Sequence, residues 1–281
     1  MLPPHRPAHR RARGEPHVSD PTPVIDDLRE ESEELDALVA RLSLAEWGLA
    51  TPAPGWTVAH QVAHLAWTDR AALAAVTDED AFRGFVEQAL AAPDRYVDDG
   101  AEEGARQEPA ALLAAWRDGR RTLQEALRGA APGARFPWYG PPMAVASMAT
   151  ARLMETWAHG LDIADALGVV RPPTGRLRHI ARIGVRARDF AHAAHGLTPP
   201  GEEFRVELTG PNGDVWAYGP EDAPQRVTGP ALDFCLLATQ RAHRADLDLT
   251  AEGPEADRWL DIAQAFAGPP GAGRKPKGAA R

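Results

Sequence analysis

The sequence predicts a mainly α protein with a small α+β domain: a four-helix bundle followed by a C-terminal α+β unit. Three observations carry this. Apolar residues recur with the helical period in four long stretches before residue 170. From Glu203 the period shortens to that of a strand, FRVELTG and VWAYG alternating on either side of the turn PNGD. At 281 residues the chain is long enough for two domains of ordinary size, each with its own core.

Residues 1–17, MLPPHRPAHRRARGEPH, read as a disordered basic extension outside the fold. They contain no apolar core of a secretory signal, and the globular pattern starts only after Val18, as if translation started downstream of Met1. The first helix covers 24–42, with Leu28, Leu35, Leu38, Val39 and Leu42 inward and acidic residues between them. After the turn TPAPGW, Thr57 is placed to cap a second helix over 58–76. A short helix follows near 80–91, and PDRYVDDGAEEG, acidic and poorly periodic, reads as loop. A third long helix over 109–129 turns Leu112, Leu113, Trp116, Leu123 and Leu127 inward. APGARFPWYGPP breaks the chain, and a fourth helix runs from about Ala144 to the Leu167-Gly168 stop. These elements make a bundle domain of residues 18–170. A bridging helix, 177–194, lies within 171–200. The α+β domain, 201–268, adds QRVTG and LDLTAEG as strands to the hairpin, with helices over 230–241 and 255–267. Residues 269–281 read as a disordered tail.

Composition narrows the function. The net charge is −9, and with the basic ends set aside the body holds 23 basic against 39 acidic residues, which argues against a nucleic-acid surface. No apolar run approaches the ~18 residues needed to span a bilayer, so no membrane partner is expected. The single cysteine, Cys235, sits in the apolar run ALDFCLLA and reads as core; one unpaired thiol suits a reducing cytoplasm.

The chemistry centres on METWAHGLDIAD, residues 154–165. Glu155 and His159 are one helical turn apart on one face and can share a divalent ion. Met154, Trp157, Ala158, Leu161 and Ile163 make this helix apolar over most of its circumference, so the pair is buried and needs a compensating partner. The second helix carries His60 and His64 at the same spacing in HQVAHL, without the glutamate that zinc proteases place directly after the first histidine. If His64 faces the interior, it meets Glu155 and His159 across the bundle. Two histidines and a carboxylate suit zinc first, with a further position for water or substrate, and Fe(II), Mn(II) or Ni(II) next. The plain alternative is a pair of hydrogen-bonded core histidines in a non-catalytic metal- or small-ligand-binding bundle. Trp138 and Tyr139, in the loop PWYGPPM ahead of the fourth helix, are candidates for a substrate wall. His192 and His195 form another close pair without a third ligand and read as surface.

GWTVAHQVAHL followed some ninety residues later by METWAHGLDIADALG resembles the mycothiol-dependent maleylpyruvate isomerase family, whose N-terminal domain is a DinB-like four-helix bundle. The similarity spans about residues 22–267 and is strongest to the actinobacterial metal-binding members of the superfamily. It implies His64, Glu155 and His159 as ligands of one divalent metal. It also implies a low-molecular-weight thiol of the mycothiol type as cosubstrate, a small-molecule substrate, and S-transfer or cis-trans isomerisation as the reaction: a transferase or an isomerase. Arg241, at the end of DFCLLATQR, matches the family's C-terminal arginine and is the expected catalytic cation for a substrate carboxylate. Asp162, three residues after His159, is expected to accept the free ring N–H of a ligand histidine, with His60 nearby as a second outer residue. Such bundles occur as monomers or homodimers, and nothing in the sequence selects between them.

Overall fold

The computed structural model describes residues 20–278, so the expected basic extension lies outside the described residues. Four long helices form the bundle: α1 (Thr22–Val39), α3 (Val58–Thr77), α6 (Pro109–Gly129) and α7 (Val145–Leu167), with a one-turn α2 (Leu44–Trp47) between the first two. α1 packs on α6 and α7, and α3 packs on the same two helices. α1 buries one stripe, Ile25, Leu28, Leu35 and Val39. α3 and α7 are buried over most of their circumference, as interior helices must be. α7 stops where expected, at Gly168, whose φ of 65° lies in the left-handed region that favours glycine.

The segment expected as an acidic loop is in part a helix, α5 (Tyr96–Ala105), following α4 (Glu79–Ala91). Its glycines explain why periodicity hides it. A Cβ on Gly104 would lie 2.7 Å from the Ala63 Cβ, and one on Gly100 would touch the Trp67 ring at 3.0 Å. The helix is held by close backbone approach to α3 instead of by an apolar stripe, and only its Ala101 is buried.

Beyond the bundle, the expected bridging helix breaks at Ala187 into α8 (Leu177–Arg186) and α9 (Arg188–Ala194). α8 lies against both α7 and α10 (Ala231–Ala238). The sheet runs β4 (Val215–Tyr218), β3 (Phe204–Thr209), β5 (Gln225–Pro230), β6 (Thr250–Glu252), with β3 and β5 parallel and the other pairs antiparallel. The expected hairpin is β3–β4, with Val206 opposite Tyr218. The apolar core does not divide at the domain boundary: one cluster continues from Ile25, Leu153 and Trp157 through Ile180 to Val206, Phe234 and Trp259. Cys235 is buried within it, its thiol pushed up by burial. His192, expected at the surface, is buried and hydrogen-bonds the Arg188 carbonyl through Nδ1 at 2.9 Å.

The closing helix α11 (Pro254–Ile262) ends five residues earlier than expected, and the following chain turns back onto the bundle. There Arg274 reaches Asp162 on α7, and the Lys277 N–H donates to the Asp246 carboxylate at 2.9 and 3.1 Å. The segment expected as a disordered tail is, up to residue 278, a mostly exposed coil that touches the bundle and the α+β unit through these polar contacts. No helix among the described residues is long and apolar enough to cross a membrane.

Candidate metal centre

α3 and α7 lie side by side at the centre of the bundle, and their facing turns bring three polar side chains into an apolar interior. Glu155 Oε2 lies 3.1 Å from His159 Nε2, on the next turn of α7, and 3.4 Å from His64 Nε2 on α3. One ligand atom from each of the three residues falls within 4.8 Å of the others, the only such His/Cys/Asp/Glu cluster among the described residues.

The protonation of His159 follows from a chain of hydrogen bonds. The Thr51 hydroxyl donates to the Trp56 carbonyl at 2.9 Å, so its oxygen accepts from Gln61 Nε2 at 2.8 Å. That orients the buried Gln61 amide with Oε1 toward His159 Nδ1, 2.5 Å away. Nδ1 must therefore carry the proton, and Nε2 presents a lone pair to Glu155. Burial, then the neighbouring His64 and Arg241, lowers the His159 pKa to about 4, so the ring is neutral near pH 7. A carboxylate oxygen and a nitrogen lone pair facing each other at 3.1 Å repel unless a proton or a metal ion lies between them. Nδ1 of His64 is buried without a hydrogen-bond partner among the described residues. The donor set, neutral imidazoles with a carboxylate, fits a divalent ion.

Gln61 was not singled out from the sequence, although it lies three residues before His64 on the same helical face. Gln61, and not Asp162, stands within hydrogen-bond distance of His159 Nδ1. Asp162 Oδ2 is 4.0 Å from His159 Nδ1 and is engaged by Arg241 at 2.9 Å, while Oδ1 takes Arg274. His60 is not an outer residue of the cluster either: its Nδ1 lies 3.2 Å from the Thr57 amide at the start of α3, and its Nε2 lies 2.9 Å from Glu102 on α5.

A cavity of about 310 Å³ opens on the cluster. Trp56, Val97, Met154, Arg241 and the segment Phe266 to Pro269 line it with the three clustered residues. Trp56 is stacked on His159, with ring centroids 5.9 Å apart and planes at 19°, and lies 5.3 Å from His64. Its indole N–H donates to Asp98 on α5 at 2.9 Å, so the helix hidden in the acidic stretch fixes the aromatic wall. Trp138 and Tyr139, expected at that wall, do not line the cavity. Trp138 stacks on Phe82, and Tyr139 shares a 2.9 Å hydrogen bond with Tyr96, which makes them a packed connector between β1 (Arg135–Phe136) and β2 (Met143–Ala144).

Comparison with known proteins agrees with this architecture. Residues 28–164 match the mycothiol maleylpyruvate isomerase N-terminal domain, and residues 200–252 match a domain described as wyosine base formation. Two uncharacterized proteins of Mycobacterium tuberculosis, one from each of two strains, are 60% identical over 257 residues, covering 92% of this chain and all of theirs. The crystal structure of the mycothiol-dependent maleylpyruvate isomerase superposes with a TM-score of 0.56 at 19% identity, covering 85% of this chain and 97% of that one. A histidine-to-alanine mutant of that enzyme gives the same TM-score at 18% identity. The chain therefore belongs to one family with these mycobacterial proteins, and it has the fold of the mycothiol-dependent maleylpyruvate isomerase with an N-terminal domain that matches that of the mycothiol maleylpyruvate isomerases.

Proposed function

We propose that the protein is a divalent-metal-dependent enzyme that activates a low-molecular-weight thiol of the mycothiol type for S-transfer or cis-trans isomerisation. The observation that carries this reading is the convergence of His64 Nε2, Glu155 Oε2 and His159 Nε2 on one point at the floor of a cavity. His64, Glu155 and His159 would hold the ion, and zinc suits two imidazoles and a carboxylate. A bound cation of this kind lowers the pKa of a thiol so that it is a thiolate at neutral pH.

The chain's own residues supply the rest. Gln61 holds His159 in the tautomer that keeps Nε2 free. Trp56, Val97 and Met154 give a bound thiol an apolar surface beside the cluster. Arg241, set against Asp162 in the cavity lining, offers a guanidinium to a substrate carboxylate. A thiolate held there can add to an activated double bond, allow rotation about the resulting single bond, and leave; or it can displace a leaving group. The first course is isomerisation and the second transfer.

Elemental analysis of gently purified protein beside His64→Ala, Glu155→Ala and His159→Ala, each checked for retained helicity, tests the reading. A single equivalent of metal is expected in the wild type and none in the variants. Adding thiol to the cobalt-substituted protein then separates an open, reactive site from a merely structural one, since only an open position admits sulfur and changes the electronic spectrum. A wild type that holds no metal and takes up none of zinc, nickel or manganese overturns the proposal.

A further inference from the structure

Part of the cavity lining is built by the C-terminal segment. At residue 263 the chain leaves α11 and folds back, with the Ala265 N–H donating to the Ala238 carbonyl at 2.7 Å. The side-chain amide of buried Gln264 donates to the carbonyls of Phe266 and Gly268 at 3.0 and 2.9 Å, which ties residues 264–268 into a closed loop. Gly268 has a φ of 130°, open to glycine and to few other residues. Phe266, Ala267, Gly268 and Pro269 then line the cavity together with His64, Glu155 and His159.

The far end of the segment is fastened to the helix that carries two of those three residues. Arg274 binds Asp162 Oδ1, and Asp162 lies three residues after His159 with its side chain only 1% exposed. The same carboxylate holds Arg241 on its other oxygen. One buried acid thus anchors both the cation in the cavity lining and the strap beside it. The cavity is open to solvent on one side, and its volume of about 310 Å³ is at the lower end of the range, ~300–1,000 Å³, typical of small-molecule sites.

We propose that residues 266–269, held in place by a strap of residues 264–278 that Arg274 clamps on Asp162, are a specificity-determining wall that admits slim thiols and excludes those with bulk next to the sulfur. The inference rests on the metal reading above. It implies that a large thiol cosubstrate enters by its narrow thiol-bearing end, with the remainder outside the wall. Arg274 acts through the strap and is a positioning residue.

The test uses the full-length protein and Arg274→Ala, both loaded with cobalt, with ethanethiol and 2-methylpropane-2-thiol, alkyl thiols of similar acidity, as slim and bulky probes. Hydrogen exchange across residues 264–278 is measured in parallel on the metal-free proteins. In the wild type the slim thiol is expected to perturb the cobalt spectrum at concentrations at least tenfold lower than the bulky one. In Arg274→Ala that gap should close to within a few-fold, and exchange across the strap should speed up at least tenfold while the bundle helices are unchanged. Equal binding of the two thiols by the wild type overturns the proposal, as does a gap that persists in a variant whose strap has loosened. Unchanged exchange in Arg274→Ala removes the clamp. Failure of cobalt to bind strikes the metal reading instead, and the exchange data still decide whether Arg274 fastens the strap.

Discussion

Gln61→Leu removes the one hydrogen-bond partner that determines how His159 presents itself, while keeping a side chain of similar volume in a position with no solvent exposure. Two costs are separable. The Thr51 hydroxyl loses its donor and His159 Nδ1 loses its acceptor, and leaving such buried groups unpaired costs about 1–3 kcal/mol of stability each at most. Metal affinity should fall by about 10–100-fold, as for other outer partners of a ligand histidine, which is about 1.4–2.8 kcal/mol of binding energy. The assay is a competition titration against a chromophoric chelator, with nitrogen-15 NMR of the His159 ring in the metal-free protein. In the wild type the proton should reside on Nδ1; in Gln61→Leu the ring should lose that preference. Unchanged affinity together with an unchanged tautomer refutes the relay from Trp56 through Thr51 and Gln61 to His159.

Other perturbations reach the elements around the site. Gly104→Ala should destabilise the fold by about 1–3 kcal/mol through overpacking of α5 on Ala63, whereas Gly84→Ala, with nothing within 4 Å of the new methyl, should stabilise it by up to about 1 kcal/mol; thermal melts of the two compare them directly. Arg152→Met leaves Asp69 buried without its 2.9 Å partner and should cost about 3–5 kcal/mol in urea unfolding, most of it recovered when Asp69→Leu is added. Asp36 is held below the usual carboxylate range chiefly by its hydrogen bond from Arg117, against the opposing effect of burial and with the charge of Arg120 in support. Its stabilisation is present above the unfolded pKa of about 4 and is lost as the pH falls through the lower folded value, so Asp36→Asn should flatten the decline in urea stability on the acid side of pH 4.

The clustering of Glu155 and His159 was legible in the sequence because helical spacing is a strong geometric constraint: residues 155 and 159 share a face of any helix that contains them. What the spacing could not give is the partner of each remaining ring nitrogen. Asp162 stands at the right interval from His159, yet the C-terminal half of the chain brings two guanidiniums to it, and a carboxylate so engaged is turned away from the imidazole. Gln61 was readable in principle, as a large amide on an apolar helix three residues before His64, but a lone glutamine carries no chemical signature until its neighbours are placed. Trp138 and Tyr139 failed as a substrate wall for a related reason. Aromatic residues in a loop pack on the nearest ring they can reach, here Phe82 and Tyr96, and loop composition alone does not say where those rings lie.

α5 and the C-terminal strap escaped for a different physical reason, and it bears on how the site is built. Both are short segments with few buried side chains, so neither leaves an apolar period; α5 depends on glycines that permit close approach, and both depend on polar contacts made across the fold. Those contacts end at the cavity. Asp98 on α5 holds Trp56 over His159, and Arg274 on the strap meets Asp162 on the same helix as His159. The floor of the cavity is therefore set by two helices whose packing the sequence states openly, while its walls are set by weakly patterned segments that can change with little effect on the core. Substitutions in α5 and residues 264–278 should alter which ligands enter much more than whether the metal binds, and substitutions at Gln61 the reverse.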